Sequence, residues 1–77
     1  MIMYEKLVEI VKEYVDVDVT NITFESDFML DLGIDSFTLS EIACAVEDEF
    51  DIEIPDKKVH ELKTVGDVVK FLEEITE

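Results

Sequence analysis

Ser36-Phe37-Thr38-Leu39-Ser40-Glu41-Ile42-Ala43-Cys44-Ala45-Val46-Glu47-Asp48-Glu49-Phe50 is the stretch that decides the fold. Its apolar residues Leu39, Ile42, Ala43, Val46 and Phe50 recur at the three- and four-residue spacing that lines up side chains along one side of an α-helix. No glycine or proline interrupts the run. Asp51 is expected to end it, because Pro55 disfavours helical geometry in the residue before it and Ile52-Glu53-Ile54 leads straight into that proline. Two further helical patterns flank this one. Upstream, Met3, Leu7, Ile10, Val11 and Tyr14 form a stripe, with Lys6, Glu9, Lys12 and Glu13 off it, and the pattern fades near Val15-Asp16. Downstream, Asp56 is expected to cap a short helix through Leu62. Thr64-Val65-Gly66-Asp67 then reads as a capping box with Asp in place of Glu, followed by the stripe Val65, Val68, Val69, Leu72 and Ile75.

Between the first two helices, residues 16–35 lose the helical period but stay apolar through Val17, Val19, Ile22, Phe24, Phe28, Leu30, Leu32 and Ile34. A long loop with that content should pack over the core, with a helical turn around Asp27 to Leu30. No segment makes a convincing strand. The expected fold class is all-α: a small four-helix bundle, three longer helices plus one short third helix, with a long packed loop between helices 1 and 2. Residues 1–77 are expected to form one domain.

Charge is the strongest compositional signal. The chain holds 21 Asp plus Glu against 6 Lys, a formal charge of −15, while 48% of its residues are hydrophobic. The apolar share argues for a folded domain rather than a disordered polyanion. The charge argues against nucleic-acid partners, which repel such a surface, and for proteins with basic patches. No apolar run reaches the length of a membrane span, so membrane insertion is not expected. The start of the chain lacks the basic and apolar regions of a signal peptide, which with one unpaired cysteine points to the cytoplasm. Cys44 has no partner for an intramolecular disulfide, and His60 is the sole histidine, so no metal site is expected. Asp16-Val17-Asp18-Val19-Thr20 opens like a calcium loop. It then places Asn21 where glycine is required and Asp27 where a bidentate glutamate is required, which excludes an EF-hand.

Asp35-Ser36 stands where the apolar loop meets the second helix. Taken alone, a serine there reads as a capping residue. A catalytic serine would need a base, and His60 lies beyond the second helix in a short charged segment. The position does favour an attached anion, since free backbone N–H groups and the positive end of the helix dipole meet there.

Asp31-Leu32-Gly33-Ile34-Asp35-Ser36-Phe37 resembles the phosphopantetheine attachment motif of acyl carrier proteins, usually Asp-Leu-Gly-x-Asp-Ser-Leu. Glu49-Phe50-Asp51-Ile52-Glu53-Ile54-Pro55-Asp56 resembles that family's exit from its second helix, and Thr64-Val65-Gly66-Asp67 the start of its last helix. The resemblance implies a free-standing carrier that catalyses nothing itself. It implies that Ser36 receives 4′-phosphopantetheine from coenzyme A through a separate phosphopantetheinyl transferase with Mg²⁺ in that enzyme's site. Asp35 would be the supporting acidic neighbour. The arm would carry acyl groups as thioesters to enzymes of fatty-acid or polyketide type synthesis, the protein acting as a monomer. Phe37 departs from the usual leucine and is similar to D-alanyl carriers. Thr38 replaces a frequent acid, and Cys44 a frequent methionine. Two alternatives stay open: an aminoacyl (D-alanyl or peptidyl) carrier, and an acidic interaction module without a prosthetic group.

Helical geometry places Phe37, Glu41, Cys44, Ala45 and Asp48 roughly opposite the buried stripe of the second helix. Phe37, Glu41, Cys44 and Asp48, with Glu47 at the edge, are the candidate partner-binding residues. A shelter for cargo is expected at the centre of the bundle, lined by residues such as Phe28, Ala43, Val46, Phe50, Ile54, Val59, Leu62, Val68 and Leu72.

Overall fold

A computed structural model describes residues 2–76; Met1 and Glu77 lie outside the described residues. The chain forms α1 (Ile2–Tyr14), a 3-10 turn (Val19–Asn21), α2 (Ser36–Phe50), α3 (Asp56–Glu61) and α4 (Val65–Ile75). The fold is an all-α bundle, as the apolar spacing implies. Leu7, Ile10 and Val11 of α1, Ile42 and Val46 of α2 and Val65, Val68, Val69 and Leu72 of α4 make its core together with Ile22, Phe28 and Ile34 of the long loop and Ile54 and Leu62 on either side of α3. Glu5 in the first turn of α1 and Lys12 in its last suit the helix dipole. The stripes overrun the core at their ends. Tyr14 and Ile75 are exposed, since each lies past the last turn that a neighbour covers.

Residues 16–35 are tied down by hydrogen bonds that periodicity does not reveal. Asp27 Oδ1 accepts from the N–H groups of Met29 and Leu30, both at 2.9 Å, and Asp31 Oδ2 accepts from Asp27 N at 2.7 Å. These close the turn that follows Asp27. The loop is then joined to the far end of the chain. Phe28 N donates to Lys63 O at 3.0 Å, Val65 N to Ser26 O at 3.0 Å and Gly66 N to Phe24 O at 2.8 Å. The first N–H groups of α4, which no helical carbonyl can satisfy, therefore end on loop carbonyls. Asp27 and Thr64 form an isolated antiparallel bridge at this seam. Tyr4 of α1 adds a third tie, its hydroxyl donating to Ile22 O at 2.8 Å.

The capping box of α4 is present in full. Asp67 N donates to Thr64 Oγ1, and Asp67 Oδ2 accepts from Thr64 N, each at 3.1 Å. The expected cap of α3 is not. Pro55 occupies the N-cap position without a side-chain hydrogen bond, and Asp56 is already the first helical residue. Proline's fixed φ leads the chain into the helix one residue earlier than the aspartate would.

Candidate functional site

At the entrance to α2 the chain comes out of the loop at Gly33, whose φ of 67° lies in the left-handed region. A Cβ there would meet nothing within 4 Å, so the glycine serves the backbone turn rather than a close contact. Ile34 then anchors the segment: its side chain is buried and its N–H donates to Phe28 O at 2.9 Å. Asp35 follows in extended geometry as the N-cap, with Oδ1 accepting from Thr38 N at 2.8 Å. That bond, with lesser help from the Thr38 hydroxyl and the Phe37 N–H, holds the Asp35 carboxyl below its usual range.

Ser36 is thus the first residue of the helix and not its cap, a correction to the capping role that its position suggested. Its hydroxyl makes no hydrogen bond to any described residue, and the side chain is exposed. Its carbonyl is occupied, accepting from Ser40 Oγ at 3.1 Å. A free, accessible oxygen sits at the positive end of a long helix, beside a carboxylate kept ionised. His60 is remote in role: it lies exposed on α3 with Nε2 3.7 Å from Asp56 Oδ2.

The sequence that builds this site matches known proteins. The family described as "Phosphopantetheine attachment site" matches residues 5–72. An acyl carrier protein of Clostridium perfringens is 45% identical over 75 residues, 97% of this chain and 99% of the relative. The acyl carrier protein of Clostridium acetobutylicum is 41% identical over 75 residues, 97% of each. That of Helicobacter acinonychis is 39% identical over 74 residues, 96% of this chain and 95% of the relative. The chain belongs to the acyl carrier protein family.

The prosthetic group of this family member is 4′-phosphopantetheine, and the free Ser36 hydroxyl fits it. On the outward side of α2, Phe37 is 72% exposed and does not fold back onto the loop. Glu41, Cys44 and Asp48 are exposed beside it. Two neighbours differ from expectation. Ala45 is half-buried against the core, because α2 is covered by more than the narrow stripe. Glu47 is half-buried and turned inward: its Oε2 accepts from Ile54 N at 2.6 Å, so the carboxylate is not free at the edge of the face.

Inside the bundle, an apolar cavity of about 30 Å³ is lined by Phe28, Ala43, Val46, Ile54, Val59 and Leu62, together with Leu7, Leu39, Ile42 and Val68. Phe50 is outside this lining. It lies one turn beyond Val46 and packs under Lys6, whose Nζ is 5.8 Å from the ring centroid. Leu72 is also outside it, fully buried elsewhere in the core. A second hollow of about 250 Å³ adjoins the first, sharing Phe28, Leu39, Val59 and Leu62 and opening past Met29, Leu30 and His60. Leu39 faces both. It stands three residues after Ser36, on the same side of α2. Leu39, legible in the sequence as part of the buried stripe, proves to line the cavity as well, and Leu30, expected to pack with the loop, is exposed at the mouth beside Met29.

Proposed function

We propose that Ser36 is the attachment point of 4′-phosphopantetheine and that this protein carries acyl groups as thioesters for enzymes of fatty-acid or polyketide type synthesis. The observation that supports it is the unbonded Ser36 hydroxyl at the first position of α2, left free because Asp35 supplies the cap. When bound, the group supplies a flexible arm ending in a thiol, the site of the thioester. The protein's residues do the rest. The N-terminal N–H groups and dipole of α2 stabilise a phosphodiester on Ser36. Asp35, ionised at neutral pH, offers a carboxylate next to it for recognition by the transferase and its metal.

Ser36 is acted on by a separate enzyme; the sole histidine lies exposed on α3, beside Asp56. The protein is a carrier and substrate, working as a monomer in the cytoplasm. No helix among the described residues is long and apolar enough to cross a membrane. Phe37, Glu41, Cys44 and Asp48 form the docking face, apolar contact coming from Phe37 and Cys44 and steering from the acids towards basic patches. The central cavity and its neighbouring hollow shelter the cargo, which enters past Leu39. The relatives' name favours acyl over aminoacyl cargo despite Phe37.

Incubation with coenzyme A, Mg²⁺ and a broad-specificity transferase tests the attachment. Intact mass should rise by one phosphopantetheine, peptide mapping should place it on Ser36, and Ser36→Ala should abolish it. A graft on another side chain, or none on the unmodified protein, overturns the reading.

A further inference from the structure

We propose that Glu47 is a positioning residue that sets the cost of admitting a long acyl chain: a latch made in the unloaded protein and broken when the chain enters. This rests on the reading of the central cavity as the cargo's shelter. Glu47 alone gathers most of the backbone donors of the α2–α3 connection. Its carbonyl accepts from Asp51 N and from Ile52 N at 3.0 Å, and its carboxylate accepts from Ile54 N at 2.6 Å. The last is a short, half-buried bond to a charged acceptor, the strong kind. It is also the one that reaches furthest along the connection, and the residue it holds, Ile54, is buried in the cavity wall.

The cavity must grow to be used. At about 30 Å³ the central cavity is far smaller than the roughly 150 Å³ that admits a benzene ring in an engineered apolar core, so a chain passing inward from the adjoining hollow has to widen it. Its walls are unequal. Ile42 and Val46 of α2 are buried against α1, and Val68 belongs to the securely capped α4. The third wall is the connection and α3, a six-residue helix with no buried residue of its own and no side-chain cap. Such an element opens first. Its far end is fixed, because Lys63 O accepts from Phe28 N and Lys63 N donates to Asp67 Oδ2. The wall therefore swings from Lys63, and the end that lifts is the end Glu47 holds. A short chain leaves the latch closed; a long one separates Ile54 N from the carboxylate.

The test compares holo, butyryl and decanoyl forms of the wild type, Glu47→Ala and Glu47→Gln, by melting temperature and by amide exchange at Ile54. Glu47→Ala should lower the melting temperature of the holo and butyryl forms and leave the decanoyl form unchanged, widening the gain on long-chain loading. Glu47→Gln, which keeps a neutral acceptor, should fall between. In the wild type, the Ile54 amide should exchange about tenfold faster in the decanoyl than in the holo form. Equal destabilisation of all three forms by Glu47→Ala, or equal Ile54 protection in wild-type holo and decanoyl forms, overturns the latch. Equal melting of wild-type holo and decanoyl forms overturns the shelter itself.

Discussion

At the start of α2 two adjacent side chains carry oxygens able to close the helix, and their order decides which is left over. An N-cap side chain reaches back over the first turn to the N–H two or three residues on, whereas the next residue already points outward. Asp35 takes the first place and bonds Thr38 N; Ser36 takes the second and keeps a free hydroxyl. Asp35→Ala should cost a few degrees of melting temperature, roughly the loss of a single cap. The pH dependence has a definite sign. The Asp35 carboxyl is lowered from 3.8 in the folded protein, so its contribution is complete above that value and disappears as pH falls through the lower, folded one. Melting curves of wild type and variant should keep a constant separation near neutrality and converge in strong acid. A gap that widens in acid would contradict the capping role. The pair Asp35-Ser36 was legible in the sequence as a helix start. Which of the two did the capping was not, because apolar spacing locates a helix end only to within a residue or two.

For whole elements, what periodicity could and could not reveal separates cleanly. The helices announced themselves because Leu7, Ile10, Ile42, Val46, Val68 and Leu72 each had to be buried on one side of a cylinder. The loop's hydrogen bonds did not, because Ser26, Phe24 and Phe28 use backbone groups that every residue type possesses. The 3-10 turn at Val19–Asn21 is equally silent, closed by Asp18 accepting from Thr20 N at 3.0 Å. Nor did the stripe show that Glu47 turns inward, since its partner is a backbone N–H seven residues away. The two glycines test this seam against simple propensity. A Cβ on Gly66 would stand 2.8 Å from Phe24 O, the very acceptor of the Gly66 N–H. Gly66→Ala should therefore destabilise by about 1–3 kcal/mol in urea unfolding, although alanine is the better helix former. Gly33→Ala, with open space but a positive φ, should cost about 1–2 kcal/mol. A neutral or stabilising Gly66→Ala would show that loop and helix can part without loss.

On the scale of the molecule, a charge of −15 acts on folding and on association in opposite directions. It repels itself, weakening the compact state at low ionic strength, and it attracts any basic surface over a distance that salt shortens. Glu41→Lys combined with Asp48→Lys should separate the two. Both positions are exposed and neither side chain makes a hydrogen bond or ion pair within the described residues. The double variant should melt at least as high as the wild type in low salt. Its loading by a partner synthase or transferase should fall sharply, by tenfold or more if each reversal costs about 1 kcal/mol of steering and contact. Unchanged loading in low salt would remove α2 from the docking surface.

The seam between residues 24–28 and residues 63–66 also bears on how the protein comes into being. Phe28, whose carbonyl positions Ile34 just ahead of the serine, is itself held by Lys63, and Ser26 and Phe24 wait for Val65 and Gly66. A growing chain that has emerged only through α3 presents Ser36 on an approach that still lacks these three bonds. The proposed landing place for the arm is thus completed from far downstream, and a chain that stops short of α4 holds the serine in an unfinished frame.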